Sequence, residues 1–277
     1  MIIREIESAG SITRSGMKEL DYCLNPYLGC SHRCLYCYAI DMTHEKEAAE
    51  NWGDVIFVRK NIDRRLVSDI KGMKRGIVGV STITDPYQPV EARYRLTGKC
   101  LEILLRNGFR VTVQTKSPLV RLDLPLLARY RNMSDLGVTI TTLNQSKALV
   151  FETRTPSPSA RLSVLKEASS LGIPTWIYYG PIIRGFNDSL EDIRDIMKAA
   201  SESSSRIIYD FFQEYGGAMN LIKKEKISLP SRMQGNAGWM AKVKQMIGDE
   251  SAEYGVKSNS ESEEWLAERR SMFRTLF

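Results

Sequence analysis

Three cysteines, Cys30, Cys34 and Cys37, fall within eight residues of a 277-residue chain that has five in all. In a reducing compartment such crowding points to metal or redox chemistry, not to structural disulfides. Thiolates spaced C-x3-C-x2-C in one loop can wrap a compact inorganic core from one side. A structural zinc needs a fourth ligand, and the chain offers poor ones. Cys23 lies seven residues upstream in an apolar run, roughly 20 Å away if extended. Cys100 shares a helical face with Leu96, Ile103 and Leu104 and reads as a buried thiol. His32, inside the loop, would close the site as a ligand and reads instead as solvent-facing or backbone-bonded. A four-iron, four-sulfur cubane normally takes four thiolates. Three leave one iron open, a corner that a substrate or cofactor must complete.

The elements that position this loop follow a repeating rhythm. Apolar, β-branched or aromatic runs at Cys23–Leu28, Ile77–Thr82, Arg110–Thr115, Leu136–Leu143, Pro174–Ile183 and Arg206–Phe212 predict strands. Helical patterns lie between them at Ile62–Met73, Arg95–Asn107, Val120–Arg131, Ser159–Leu171 and Leu190–Glu202. Asn107-Gly108 and Leu171-Gly172 place glycine just past helix ends, and Ser157-Pro158 and Asn187-Asp188 read as helix starts. Strand alternating with helix is the pattern of βαβ units around a parallel sheet, either doubly wound or an incomplete β/α barrel. In both, ligands sit at the carboxyl ends of the strands. The cysteine loop, Thr82–Glu91, Thr115–Pro118, Thr141–Asn144 and the Tyr179–Pro181 segment with Arg184 would converge there. From about Gln213 the rhythm gives way to Gly216-Gly217, a basic run at Lys223–Lys226, Pro230 and two helical stretches, Trp239–Ile247 and Glu261–Phe277. Trp239, Met240, Val243 and Met246 on one, and Trp265, Leu266, Met272 and Phe273 on the other, suit packing onto a barrel.

Apolar residues at 43%, charged at 26% and aromatic at 9% exclude a disordered chain and a small disulfide scaffold. The stretch Pro174–Ile183 is broken by Pro, Tyr and Gly and falls far short of the ~20 residues of a membrane span. Charge at Arg4 and Glu5 stands where a signal peptide needs its apolar core, so a cytoplasmic protein without membrane partners is expected. Net charge is +6 with pI near 9.0, mildly basic. Seven basic residues crowd Arg59–Arg75, where Ile62, Leu66 and Ile70 form the apolar stripe of a helix with a solvated face.

The segment Gly29–Tyr38, with the aromatic Tyr36 just before the third cysteine, resembles the CxxxCxxC signature of radical S-adenosyl-L-methionine (SAM) enzymes. Within that superfamily, Asn25–Cys30, Thr84–Glu91 and Thr115-Lys116-Ser117 are similar to the branch of spore photoproduct lyase and its DNA repair photolyase-like members. The resemblance implies a 4Fe-4S cluster on Cys30, Cys34 and Cys37 whose open iron is chelated by SAM. It implies an external one-electron donor of ferredoxin or flavodoxin type, and a 5′-deoxyadenosyl radical that takes hydrogen from a substrate. It also implies Tyr36 beside the adenine, Lys116 at the carboxylate or ribose of SAM, and Thr141 at the ribose. Asp85, Gln88, Glu91 and Arg184 are further rim candidates. Two departures stand out. Thr82–Asp85 replaces the Gly-Gly-Glu segment of many radical enzymes, and no cysteine stands near Thr82, where the lyase has its hydrogen donor. Tyr87, Tyr178 and Tyr209 are alternative donors, set against a reading as core aromatics.

The expected architecture is α/β, a partial (β/α)6 TIM-like barrel over residues 1–212 with an α-helical C-terminal extension over 213–277. The substrate stays open between nucleic acid, a protein side chain and a small metabolite. The rival reading is a zinc-containing nucleic-acid-binding protein using the Arg59–Arg75 surface for phosphates.

Overall fold

The predicted strand runs meet in one sheet whose order explains the alternation with helices. The structure is a computed structural model and describes residues 1–227 and 233–260. Its strands are β1 (Ile2–Ile6), β2 (Ile12–Arg14), β3 (Tyr22–Leu24), β4 (Tyr27–Leu28), β5 (Val55–Arg59), β6 (Ile77–Val80), β7 (Arg110–Thr115), β8 (Ser134–Thr139), β9 (Thr175–Ile182), β10 (Arg206–Phe211) and β11 (Ser258–Ser260). The helices are α1 (Ala39–Met42), α2 (Lys46–Glu50), α3 (Ile62–Asp69), α4 (Glu91–Tyr94), α5 (Leu96–Arg106), α6 (Leu124–Arg129, entered through a 3-10 turn at Pro118–Asp123), α7 (Gln145–Phe151), α8 (Pro158–Ser170), α9 (Leu190–Glu202), α10 (Gly216–Lys224) and α11 (Ala237–Tyr254). The large sheet runs β11-β10-β9-β8-β7-β6-β3-β2. All its neighbours pair in parallel except β2, which closes one edge antiparallel to β3. From β3 to β10 each strand pairs with the next strand of this sheet along the chain, and the order never reverses. A doubly wound sheet reverses at a switch point; this one is a partial β/α barrel.

Alternation along the strands divides the sheet into two faces. In β7, Val111 and Val113 are buried in the main core, while Thr112 and Gln114 line the lumen. Helices close the outer face: α5 buries Leu96, Cys100, Leu101, Leu104 and Leu105, so Cys100 is the packed thiol its helical spacing predicts. Ile62, Leu66 and Ile70 are buried as the stripe of α3. Ser157 caps α8, its hydroxyl accepting from Ala160 N at 3.2 Å. Gly108 and Gly172 take φ of +78° and +74° past their helices. The cap of α9 is Ser189, not Asn187. Asn187 is fully buried and instead accepts from Ile183 N (2.7 Å) and donates to Thr141 O (2.7 Å).

The run Cys23–Leu28 is two strands. Pro26 lacks the N–H that a central strand needs. The chain therefore leaves the large sheet after β3, and β4 pairs with β5 in a three-stranded sheet of order β1-β5-β4. Asn25 bridges the break, its Oδ1 accepting from Thr82 N (2.9 Å) and Ile83 N (3.2 Å). β8 begins two residues before the expected run and ends at Thr139, leaving Thr141 beyond it. In the C-terminal region α10 packs on α1, α11 on α9, and β11 extends the sheet beside β10. The expected helix Glu261–Phe277, with Trp265, Leu266, Met272 and Phe273, lies outside the described residues. Among the described residues no helix is long and apolar enough to cross a membrane.

Candidate active site

The cysteine loop leaves β4 through Gly29, whose φ of +79° and close approach to Val55 O leave no room for a Cβ. Gln88, fully buried, brackets the root of the loop. Its Oε1 accepts from Ser31 N (2.9 Å), and its Nε2 donates to Gly29 O (3.1 Å) and Thr84 Oγ1 (2.9 Å). Asp85 ties the same loop to the end of β7: it accepts from Thr115 Oγ1 (2.6 Å) and Lys116 N (2.8 Å). Its Oδ2 stands 3.3 Å from His32 Nδ1. Burial pushes this carboxyl up, but His32, the Thr115 hydroxyl and the Lys116 amide outweigh it and hold the pKa at about 2.

Cys30, Cys34 and Cys37 form no disulfide and line one pocket, partly open to solvent, together with His32, Asp85 and Lys116. Burial pushes all three thiols up, Cys34 to about 12 against the opposing pull of the Lys116 ammonium. Buried thiols of this kind want a cation to deprotonate them. Among the described residues no three His, Cys, Asp or Glu side chains are placed to hold a single metal ion. Three thiolates on one zinc must converge on a point, whereas three on separate corners of a cubane stay spread. The cavity wall also carries Trp52, whose buried indole N–H lacks a hydrogen-bond partner, a donor suited to a sulfur-rich anionic group. The residues present therefore fit an iron–sulfur cluster better than a mononuclear site.

Behind the loop lies a buried charge network. Glu152, 2% exposed, receives the Tyr36 hydroxyl and Thr141 Oγ1 (3.2 Å) on one oxygen and the Arg161 guanidinium on the other. Arg161, 1% exposed, also donates to Pro156 O (2.8 Å) and Thr139 O (3.1 Å). The half-buried Lys116 sets its ammonium 5.5 Å from the centre of the Tyr36 ring. Burial pulls this ammonium down, but Cys34 and Glu152 beside it hold it above its ordinary value.

The family model described as Radical SAM superfamily matches residues 24–200, a span that includes the three cysteines, Lys116 and Glu152. The chain belongs to the radical SAM superfamily. An uncharacterised protein of Acidianus two-tailed virus is 32% identical over 241 residues, 80% of this chain and 79% of that protein. Spore photoproduct lyase complexed with dinucleoside spore photoproduct has a similar fold. Its TM-score is 0.74 at 13% identity, over 94% of this chain and 81% of that one. Streptococcus suis SuiB bound to S-adenosylmethionine is similar at a TM-score of 0.60 and 14% identity, over 86% of this chain and 49% of that one.

Within this radical SAM fold the predicted residues fall into distinct places. Lys116 and Asp85 line the cysteine cavity. Tyr36 and Thr141 stand behind it, their hydroxyls held by Glu152. Glu91 is not a rim residue. Fully buried, it takes the amides of Thr97 (3.0 Å) and Gly98 (3.3 Å) in the first turn of α5 and the Tyr27 hydroxyl. Arg184 is half-buried just past β9, away from the cavity walls. Tyr87 is fully buried and donates to Asp123 Oδ2 (2.9 Å), and Tyr209 is part of the main core. Tyr178 packs with Trp176 and Ile208, which line a second pocket, partly open to solvent, in the barrel lumen. Trp176 lies against Gly137 of the neighbouring strand, a position where any Cβ would strike its ring. Tyr38, which no spacing singled out, lines both chambers beside Ser81, Thr82 and Gln114 and is the most exposed aromatic between them. Glu152 and Arg161 were also missed. One signal was available: Arg161 shares the buried face of α8 with Val164, Leu165 and Ala168, and a charge on an apolar face needs a partner.

Proposed function

We propose that this chain binds a 4Fe-4S cluster on Cys30, Cys34 and Cys37 and uses it for reductive cleavage of SAM, with hydrogen abstraction from a substrate seated in the barrel lumen. The observation that carries this reading is three cysteine thiols, none in a disulfide, on the wall of one pocket that shares Tyr38, Ser81, Thr82 and Gln114 with a second in the lumen. When bound and reduced by an external ferredoxin- or flavodoxin-type donor, the cluster supplies the electron that cleaves SAM to methionine and a 5′-deoxyadenosyl radical. Lys116 offers a cation for the carboxylate of SAM, and the ammonium stays charged because Cys34 and Glu152 oppose its desolvation. Tyr36 and Thr141 line neither chamber, and the adenine and ribose roles assigned to them rest on the resemblance alone. Asp85 holds the Thr115 hydroxyl and the Lys116 amide, which fixes the chain that carries the cation at the end of β7.

A nucleic-acid substrate is the finer reading. It is supported by the fold shared with a lyase solved with dinucleoside spore photoproduct and by the net charge of +6. No cysteine stands at Thr82, so this reading does not extend to that lyase's hydrogen-return step. Anaerobically reconstituted protein with dithionite should convert SAM to 5′-deoxyadenosine, and Cys34→Ala should not. Equal turnover by the variant would remove the assignment. Deuterium transfer from labelled oligonucleotides into 5′-deoxyadenosine tests the substrate class, and its absence with every oligonucleotide would remove the nucleic-acid reading.

A further inference from the structure

Glu152 lines neither chamber, yet separate pieces of chain end on its carboxylate. Tyr36 and Thr141 donate to one oxygen, and Arg161 and Thr155 Oγ1 (3.5 Å) to the other. The preceding residue completes the attachment, since Phe151 O accepts from Leu35 N at 2.9 Å. Two successive loop residues between Cys34 and Cys37 thus hang on two successive residues at the end of α7. The Lys116 ammonium caps the same assembly over the Tyr36 ring. A buried ion pair is a poor device for stability alone, because apolar side chains of similar volume serve as well. Its placement here calls for another reason.

We propose that Glu152 is a positioning residue for the cluster: it pins Leu35 and Tyr36, and its charge, set against Lys116 and Arg161, tunes the potential at which the cluster accepts its electron. The inference rests on the cluster assigned above. A cluster on three thiolates is anionic and gains one more negative charge on reduction, so nearby fixed charges shift its potential. Glu152 opposes the incoming electron, while Lys116 and Arg161 favour it. The Tyr36 hydroxyl, by neutralising part of the carboxylate, weakens that opposition.

The test is an anaerobic dithionite titration, followed by electron paramagnetic resonance, of reconstituted wild type, Glu152→Gln and Tyr36→Phe without SAM. Iron per chain is determined alongside. Glu152→Gln keeps an acceptor for Tyr36 and removes the charge. It should favour the reduced cluster about tenfold, a rise of about 59 mV for one electron. Tyr36→Phe leaves the carboxylate less neutralised and should disfavour it about threefold, a fall of about 28 mV. Opposite shifts at unchanged iron content are not what a loosened loop produces. Shifts of the same sign, or none, overturn the inference. Should Glu152→Gln fail to fold, Tyr36→Phe decides alone, and an unchanged potential in it is the overturning result. A wild type that takes up no iron removes the cluster assignment and this inference with it, whereas a loaded wild type with unmoved variants removes only the inference.

Discussion

Replacing Gln88 by alanine takes three hydrogen bonds from the root of the cysteine loop, at 2.9, 3.1 and 2.9 Å, without touching a cysteine. Gly29 O keeps a second donor in Thr84 Oγ1 (2.6 Å), so the group left without a partner is the buried Ser31 N–H. Each lost bond is worth about 1 kcal/mol net, and an orphaned buried donor costs about 1–3 kcal/mol more. Truncation of a fully buried side chain adds a cavity. The expected loss is about 5–7 kcal/mol, which for a domain of this size lowers Tm by about 10–20 °C. Gln88→Met fills the same volume without polar atoms and should recover about 1 kcal/mol of that, separating the cavity from the hydrogen bonds. Calorimetry of the metal-free proteins reads both, and iron uptake should fall in both because Cys30 follows the loosened Gly29. Losses below about 1 kcal/mol, or a methionine variant as stable as wild type, would refute the reasoning that Gln88 holds the loop through hydrogen bonds.

Further outcomes are expected elsewhere in the site. Gly29→Ala must place a Cβ 2.5 Å from Val55 O at a φ of +79°. It should cost about 2 kcal/mol or more and reduce iron uptake; a variant that melts and loads like wild type contradicts the close approach. Asp85 has a folded pKa lowered from 3.8 to about 2, so the stability it contributes is present above the unfolded value and lost as pH falls through about 2. Linkage puts that contribution at about 2 kcal/mol; acid unfolding of Asp85→Asn should have a shallower limb between pH 4 and 2, and an identical limb would count against the assignment. Arg161→Met leaves the Glu152 carboxylate buried without its cation and should destabilise by about 3–5 kcal/mol. Adding Glu152→Gln should recover much of this in a double-mutant cycle, and strict additivity would deny the pairing.

The chemistry was more legible than its supports. Spacing alone placed Cys30, Cys34 and Cys37 in one loop, and the βαβ rhythm located β7, β9, β10 and α9 nearly to the residue. Both signals are local. The small sheet was hidden because Pro26 splits a run that reads as one strand, and because β5 pairs with β4 and β1 instead of continuing the alternation. Glu91 sits in a motif that reads as a rim, but the αL turn at Arg95 folds the first turn of α5 back onto its carboxylate. Glu152 and Tyr36 are 116 residues apart, so only closure of the barrel brings the carboxylate under the loop. Tyr38 likewise becomes a wall of two chambers only when β6 and β7 stand across from it.

The account depends most on a cluster held by three thiolates with one corner free for SAM. Electron paramagnetic resonance of the reduced, anaerobically reconstituted protein, recorded before and after addition of SAM, tests that directly. A 4Fe-4S signal whose g values move when SAM is added, and which is lost in Cys34→Ala, is the predicted result. A signal indifferent to SAM, or protein that binds no iron, would contradict it.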